Sequence, residues 1–294
     1  MSLAFYLNIV MSGLLTGLVY GLAALGLSLI FTVTRVVNFA HGGLMALGLW
    51  GAATLAARHG MDPLLAMPVV AAGLFLGGFL LHRLLIGRVA TAPEHLRTLA
   101  TLGLALILAA GLAALPETAA TVAPASRPLN ALAFGPFLLD RIELRAALMA
   151  GIVTALLVLF FNLGRTGKAI RACADNPFGA RVTGLNLERL QAATYGLGAA
   201  IAGIAGCLLA QSEGIQSEGI RSNPASGFLA LGLIVALVGG LGSVEGALLG
   251  GMAVGVAEAL AGALLAPSVK ELSGYAVVAL VLLLRPQGLL GPGE

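Results

Sequence analysis

Long apolar runs, each ended by a short polar or charged corner, recur along the chain from residue 7 to residue 290. A helix that crosses ~30 Å of hydrocarbon needs about 20 apolar residues. Nine runs approach that length: 7–33, 42–57, 64–86, 98–115, 146–163, 190–210, 228–242, 246–266 and 274–284. Stretches such as 146–161 and 275–284 are unbroken and rich in Leu, Ala and Gly. Strands of a membrane barrel would alternate apolar and polar positions instead. Because lipid leaves backbone groups no outside partner, the remaining spanning structure is the helix. The pattern predicts an all-α, polytopic transmembrane helical bundle of about eight to nine spans, in a single transmembrane domain covering 1–294. The second run is short and follows the polar break Asn38-Phe39-Ala40-His41-Gly42, so a discontinuous helix near 33–45 is expected.

Composition strengthens this picture. Of the 294 residues 59% are hydrophobic and only 10% charged, against about 25% in a soluble domain, so the surface is not one that water covers. The +3 net charge is carried almost wholly by Arg placed between apolar runs, which reads as an orientation signal rather than a nucleic-acid footprint. No basic residue precedes the first run, so a cleavable signal is not expected, and Arg35 follows it. The positive-inside rule then sets the N-terminus outside and Arg35 inside. Two further loops fall on the inner side: one with Arg83, Arg88 and Arg97, and 164–189 with Arg165, Lys168, Arg171, Arg181 and Arg189. The outer loops 116–145 and 211–225 carry nearly balanced charge, and Arg285 leaves the C-terminus inside. Cys173 and Cys207 match no metal spacing and read as small apolar fillers.

Candidate chemistry is sparse. The apolar runs hold no His-x-x-x-His or Glu-x-x-His pair and no Gly-x-Ser-x-Gly elbow. Gly167-Lys168 resembles the end of a phosphate-binding loop, but Ala169 follows and Asn162 replaces the leading Gly. The chain is therefore not expected to hydrolyse ATP, or to need a metal or other cofactor of its own. His41, Glu245 and Glu258 stand at membrane depth, where an ionisable group must face protein or water. Asn38 and His41 admit two readings, residues along a substrate path or caps on an ordinary turn. Small residues four apart, Gly13, Gly17 and Gly21 and then Gly242, Gly246 and Gly250, with Gly251 and Gly255 alongside, predict closely packed helix faces. The tandem Gln-Ser-Glu-Gly-Ile at 211–220 reads as an insertion tolerated in an outer loop.

The loop 164–189 differs in kind. Residues 168–174 suit a short amphipathic helix. Asp175-Asn176-Pro177 reads as a helix start, with a cap before Pro at the first position. Residues 178–183 suit a second brief helix closed by Gly184. Two short charged helices make either a docking knob for a cytosolic partner or a solvated, topology-fixing loop.

At this loop the sequence resembles a known family. Arg171-Ala-Cys-Ala-Asp175-Asn176-Pro177, with Ala180-Arg181 and Gly184-Leu185-Asn186, is similar to the cytoplasmic motif of branched-chain amino-acid ABC importer permeases. The resemblance extends to Val37-Asn38-Phe39-Ala40-His41-Gly42 and to Ala100-Thr101-Leu102-Gly103. It also covers Gly239-Gly240-Leu241-Gly242-Ser243, Gly246, Gly250-Gly251 and Arg285-Pro286-Gln287-Gly288-Leu289. These blocks span nearly the whole chain, whose length suits the shorter, LivH-type member of the paired permeases.

The resemblance implies a bacterial inner-membrane importer built from this permease, a second homologous permease, two cytosolic ABC ATPases and a periplasmic substrate-binding protein. ATP and Mg would be held by the ATPases. Arg171, Asp175, Asn176, Pro177, Arg181 and Gly184 would form the element that couples the ATPases to the spans. Asn38, Phe39, His41, Thr101 and Ser243 become the candidate translocation pathway. Departures from the family pattern are the 228–235 stretch, which has no Lys before its Gly-rich end, Glu245, and the duplication. They bear on substrate, for which relatives span branched-chain and other amino acids, urea and short amides, and aromatic acids. The rival classes are an ion-coupled secondary transporter, which would work alone, and a membrane enzyme, for which a catalytic cluster is missing.

Overall fold

The computed structural model describes residues 3–115, 131–134, 137–212 and 224–291. Among these, eleven α-helices follow one another. They are α1 (Leu3–Thr34), α2 (His41–His59), α3 (Pro63–Leu84), α4 (Glu94–Ala113), α5 (Arg141–Leu163), α6 (Arg165–Asp175), α7 (Pro177–Val182), α8 (Leu187–Ser212), α9 (Pro224–Gly239), α10 (Val244–Leu264) and α11 (Lys270–Leu284). Each of the nine apolar runs lies on a helix. Among the described residues, seven helices are long and apolar enough to cross a bilayer, α11 being counted together with the 3-10 turn Pro267–Val269 before it. The other two are α2, which is less apolar, and α9, which at 16 residues is short.

Local chemistry sets most of the ends. Asp62 caps α3 by accepting from the Leu64 amide at 2.8 Å, with Pro63 in the first turn. Asp140 does the same for α5 through the Ile142 amide at 2.9 Å. That cap starts α5 at Arg141, five residues before the apolar run, so Arg141, Glu143 and Arg145 form a polar first turns' worth of helix rather than loop. Gly60, with φ 60, closes α2 in the left-handed conformation.

One element departs from the all-helical reading. Within the Pro-rich loop before α5, β1 (Ala131–Phe134) and β2 (Phe137–Asp140) pair antiparallel, Ala131 opposite Asp140 and Phe134 opposite Phe137. A lone two-stranded ribbon is marginal by itself. It is tied to the start of α1, where Asn8 Oδ1 accepts from the Leu138 amide at 2.7 Å, and Ser12 Oγ donates to Glu143 at 2.9 Å nearby. Most of the duplicated 211–220 segment lies outside the described residues.

Glycine decides the packing. In lipid no hydrophobic effect draws helices together, so close backbone approach supplies the attraction. A Cβ on Gly17 would lie 2.7 Å from both Gly251 O and Met252 Cα, which shows how near α1 and α10 run. Gly13 and Gly21 face the same helix, as the four-residue spacing predicts. On α10 the two offset stripes serve different neighbours. Gly251 and Gly255 face α1, while Gly246 and Gly250 face Gly239 of α9. Helices α1 and α8 are the interior, and α3, α4, α5 and α11 turn apolar side chains outward, among them Leu76, Leu106, Ile107, Leu156, Leu280 and Leu283. An apolar exterior of that extent suits lipid and not water.

Two blocks of the sequence that lie far apart meet at one end of the bundle. The amides of Leu289 and Leu290 donate to Val238 O and Gly239 O, both at 2.9 Å, satisfying carbonyls that the last turn of α9 leaves open. Gly240 (φ 102) and Gly288 (φ 81) make this approach possible.

Candidate functional site

The loop 164–189 is a built knob. Helix α6 buries Gly167, Ile170, Cys173 and Ala174 on one face and exposes Arg165, Lys168, Arg171 and Asp175 on the other. Gly167 and Gly164 let it fold back tightly over the last turn of α5. Arg171 Nη1 donates to Asn162 Oδ1 at 3.1 Å, closing that corner. Asn176 then caps α7, its Oδ1 accepting from the Gly179 amide at 2.8 Å, with Pro177 as first residue. The far end of α7 is a Schellman motif. Leu185 N bonds Ala180 O at 3.1 Å, Gly184 N bonds Arg181 O at 3.0 Å, and Gly184 takes φ 84. Beneath it Cys173, Ala180 and Leu187 pack with Leu185 and Leu190. Burial pushes the Cys173 thiol up from its ordinary range.

So the two short helices expected from the sequence are present, and α7 is bounded by the expected residues, Asn176 and Gly184. What the pattern did not reveal is the outward face of α7. Phe178 (78% exposed) and Val182 (73%) stand one turn apart beside the exposed Arg181. Both are large apolar side chains left exposed on a helix too short to span a membrane.

The break after α1 is buried, unlike an ordinary surface turn. Asn38 is 1% exposed and His41 is fully buried. Asn38 Oδ1 accepts from the Ala40 amide at 3.1 Å and from Tyr195 OH at 3.2 Å. His41 Nε2 lies 2.9 Å from Ala23 O, so that nitrogen carries the proton. Ala23 precedes the end of α1 by eleven residues, roughly 16 Å along a helix at 1.5 Å per residue. The chain therefore turns back into the bundle before α2 begins, which is the expected discontinuous helix. Thr101 of α4 joins it: its hydroxyl faces Val37 O at 3.3 Å and accepts from the Phe39 amide at 3.4 Å. Among the described residues, Asn38 Nδ2 and His41 Nδ1 are buried with no hydrogen-bond partner.

Four of the five candidate pathway residues thus come together. Ser243 does not join them; its hydroxyl accepts from the Gly246 amide at 3.0 Å and caps α10. Of the ionisable residues at depth, Glu258 is buried and receives Tyr20 OH at 2.9 Å, whereas Glu245 is exposed in the first turn of α10. A cavity of about 460 Å³ between α1, α5 and α10 is lined by Leu18, Thr154, Asn162 and Leu248 among others, away from the Asn38 cluster. Sequence reasoning missed Tyr195 and Tyr20. A lone tyrosine in an apolar run is itself the signal, since its hydroxyl needs a partner when buried.

The fold and its apolar exterior define a multi-pass helical membrane protein. Residues 9–285 match the model of the branched-chain amino acid transport system permease component, and the chain belongs to that family. It is 33% identical over 310 residues to the high-affinity branched-chain amino acid transport system permease protein LivH of Escherichia coli, covering 99% of this chain and 97% of that one. With the permease protein BraD of Pseudomonas aeruginosa the identity is 30% over 304 residues, covering 98% and 97%. In fold it is similar to PsaBC from Streptococcus pneumoniae, with a TM-score of 0.52 at 15% identity, over 95% of this chain and 93% of the other.

Proposed function

We propose that this chain is one of two permease subunits of an ATP-driven importer that moves branched-chain or related small amino acids into a bacterial cell. The carrying observation is the knob, α6 and α7, rigidly capped and presenting Phe178, Val182 and Arg181 outward. An exposed apolar pair with an exposed arginine beside it is suited to a groove in a cytosolic partner. In this reading the partner is one of two ABC ATPases, which hold ATP and Mg. Arg171, Asp175, Asn176, Pro177, Arg181 and Gly184 build the knob that docks there. The chain forms one permease domain in the inner membrane, N-terminus outside and C-terminus in the cytoplasm. A periplasmic binding protein delivers substrate to the outer side.

The mechanism of this reading runs through the contacts of the knob. The knob packs on the ends of α5 and α8, and α8 carries Tyr195, which holds Asn38. ATPase closure displaces the knob, and the broken-helix region, with Asn38, Phe39, His41 and Thr101, responds. The unpartnered donor of Asn38 and ring nitrogen of His41 support a place for these residues along the path, since lone buried polar atoms are costly in a membrane. ATP and the loaded binding protein shift the equilibrium only through their different affinities for its two states.

The test is uptake of radiolabelled leucine into proteoliposomes. Uptake is expected only when this chain, the second permease, the ATPases, the binding protein and ATP are all present. Gradient-driven uptake by this chain alone refutes the proposal in favour of an ion-coupled carrier. ATP-dependent uptake of urea, short amides or aromatic acids in place of leucine refutes the substrate assignment.

A further inference from the structure

Among the described residues, one non-glycine has a left-handed backbone: Arg35, with φ 53. It lies just past the last residue of α1, and its amide bonds Phe31 O at 2.8 Å. Glycine usually fills such a position, because a Cβ there crowds the carbonyl that follows. The arginine side chain gives a reason for the exception. Its Nη2 donates to Ala174 O at 3.2 Å, across 139 residues of sequence. Ala174 is in the last turn of α6, where carbonyls lack amide partners within the helix and a cation meets the negative end of the helix dipole. A second arginine fixes the same corner from α4: Arg97 Nη1 donates to Thr34 O at 2.9 Å, on the last residue of α1. Arg35 therefore has its backbone at the entrance to the buried break and its side chain on the docking knob.

We propose that Arg35 is a positioning residue for energy coupling, joining the end of α6 to the Asn38–His41 turn so that a displacement of the knob reaches the broken helix. The inference rests on the ATPase-driven reading above. The knob also touches α5 and α8, through packed apolar and small side chains and through the Arg171–Asn162 bond to α5. The Arg35 bond is directional and ends three residues from Asn38.

The experiment separates the backbone from the side chain. Arg35→Gly removes the left-handed crowding and the link together. Arg35→Lys keeps the crowding, the charge and a donor. Both are made in the complete importer, purified through a tag on this chain and reconstituted with ATP and leucine. Readouts are the thermal midpoint and the leucine imported per ATP hydrolysed.

Arg35→Gly is expected to have an unchanged or higher midpoint, while leucine per ATP falls about tenfold, the factor one charge-assisted hydrogen bond carries. Arg35→Lys is expected to keep most of the wild-type ratio. A wild-type ratio in Arg35→Gly overturns the proposal. So does a midpoint that falls together with the ratio, which marks a merely structural residue, or an Arg35→Lys ratio no better than that of Arg35→Gly. If the unaltered importer moves no leucine, the functional reading itself fails, and this is seen before any variant is compared.

Discussion

Replacing Gly17 by Ala tests whether backbone contact holds α1 against α10. A Cβ there would sit 2.7 Å from Gly251 O and Met252 Cα, where ordinary contact begins at 3.4 Å, a shortfall of ~0.7 Å (3.4 minus 2.7). Both obstructing atoms are backbone, so no side chain can rotate aside. The helices must part, and Gly13 and Gly21 share the interface. Overpacking of this kind costs about 1–3 kcal/mol. Against it stands the gain of about 1 kcal/mol from putting Ala for Gly inside a helix. Gly73 of α3 provides the control, since nothing lies within 4 Å of a Cβ built there. Gly73→Ala collects the propensity gain alone, so the difference between the two variants isolates the packing term. At about 2 °C per kcal/mol for a chain of this size, Gly17→Ala should melt roughly 2–6 °C below Gly73→Ala. Cys173 and Cys207 are both buried, so a thiol-reactive dye reports unfolding in detergent without added labels. Equal upward shifts in the two variants would refute the account of the interface.

Other outcomes follow from the same geometry. Asn176→Ala removes the α7 cap and should cost about 1 kcal/mol locally, read as faster proteolysis within 175–184 while the thermal midpoint of the bundle barely moves. Phe178→Ser changes a side chain that is 78% exposed, so the midpoint should stay put while affinity for the ATPase of the proposed importer drops severalfold in a pull-down titration. Gly288→Ala forces a Cβ to 2.6 Å from Gly240 Cα at φ 81, and hydrogen exchange at the Leu289 and Leu290 amides should rise sharply. Because burial raises the Cys173 thiol, less thiolate forms at any given pH, and maleimide labelling of the folded chain should lag a free cysteine across pH 7–9.

Period and caps made much of this architecture legible in the sequence. Asn176-Pro177 and Gly184 each state a helix boundary in local chemistry, and each does that job in the structure. The Gly stripes announced close packing because backbone approach requires them at four-residue spacing. Their partners were not readable. Gly250 and Gly251 are adjacent in sequence yet face α9 and α1 respectively. The β hairpin was missed because its four-residue strands follow a Pro-rich stretch, flank Pro136 and are tied to Asn8, some 130 residues away. At the break, Asn38 and His41 stood out as polar residues in apolar surroundings. Tyr195 carried a signal, a hydroxyl in an apolar run, but not the identity of its partner, and Ala174 acts through a backbone carbonyl that no side-chain pattern marks.

The pairing of residues 289–290 with 238–239 also orders events during synthesis. A nascent chain that has already made α9 has two carbonyls at its end that no local amide can reach. They stay open until α10 and α11 have been inserted and some fifty more residues have emerged. The helix is thus finished by a distant piece of its own chain, after its neighbours are in place. Chains interrupted before Gly288 would keep an exposed polar helix end in the membrane protein, a defect that a quality-control protease can recognise.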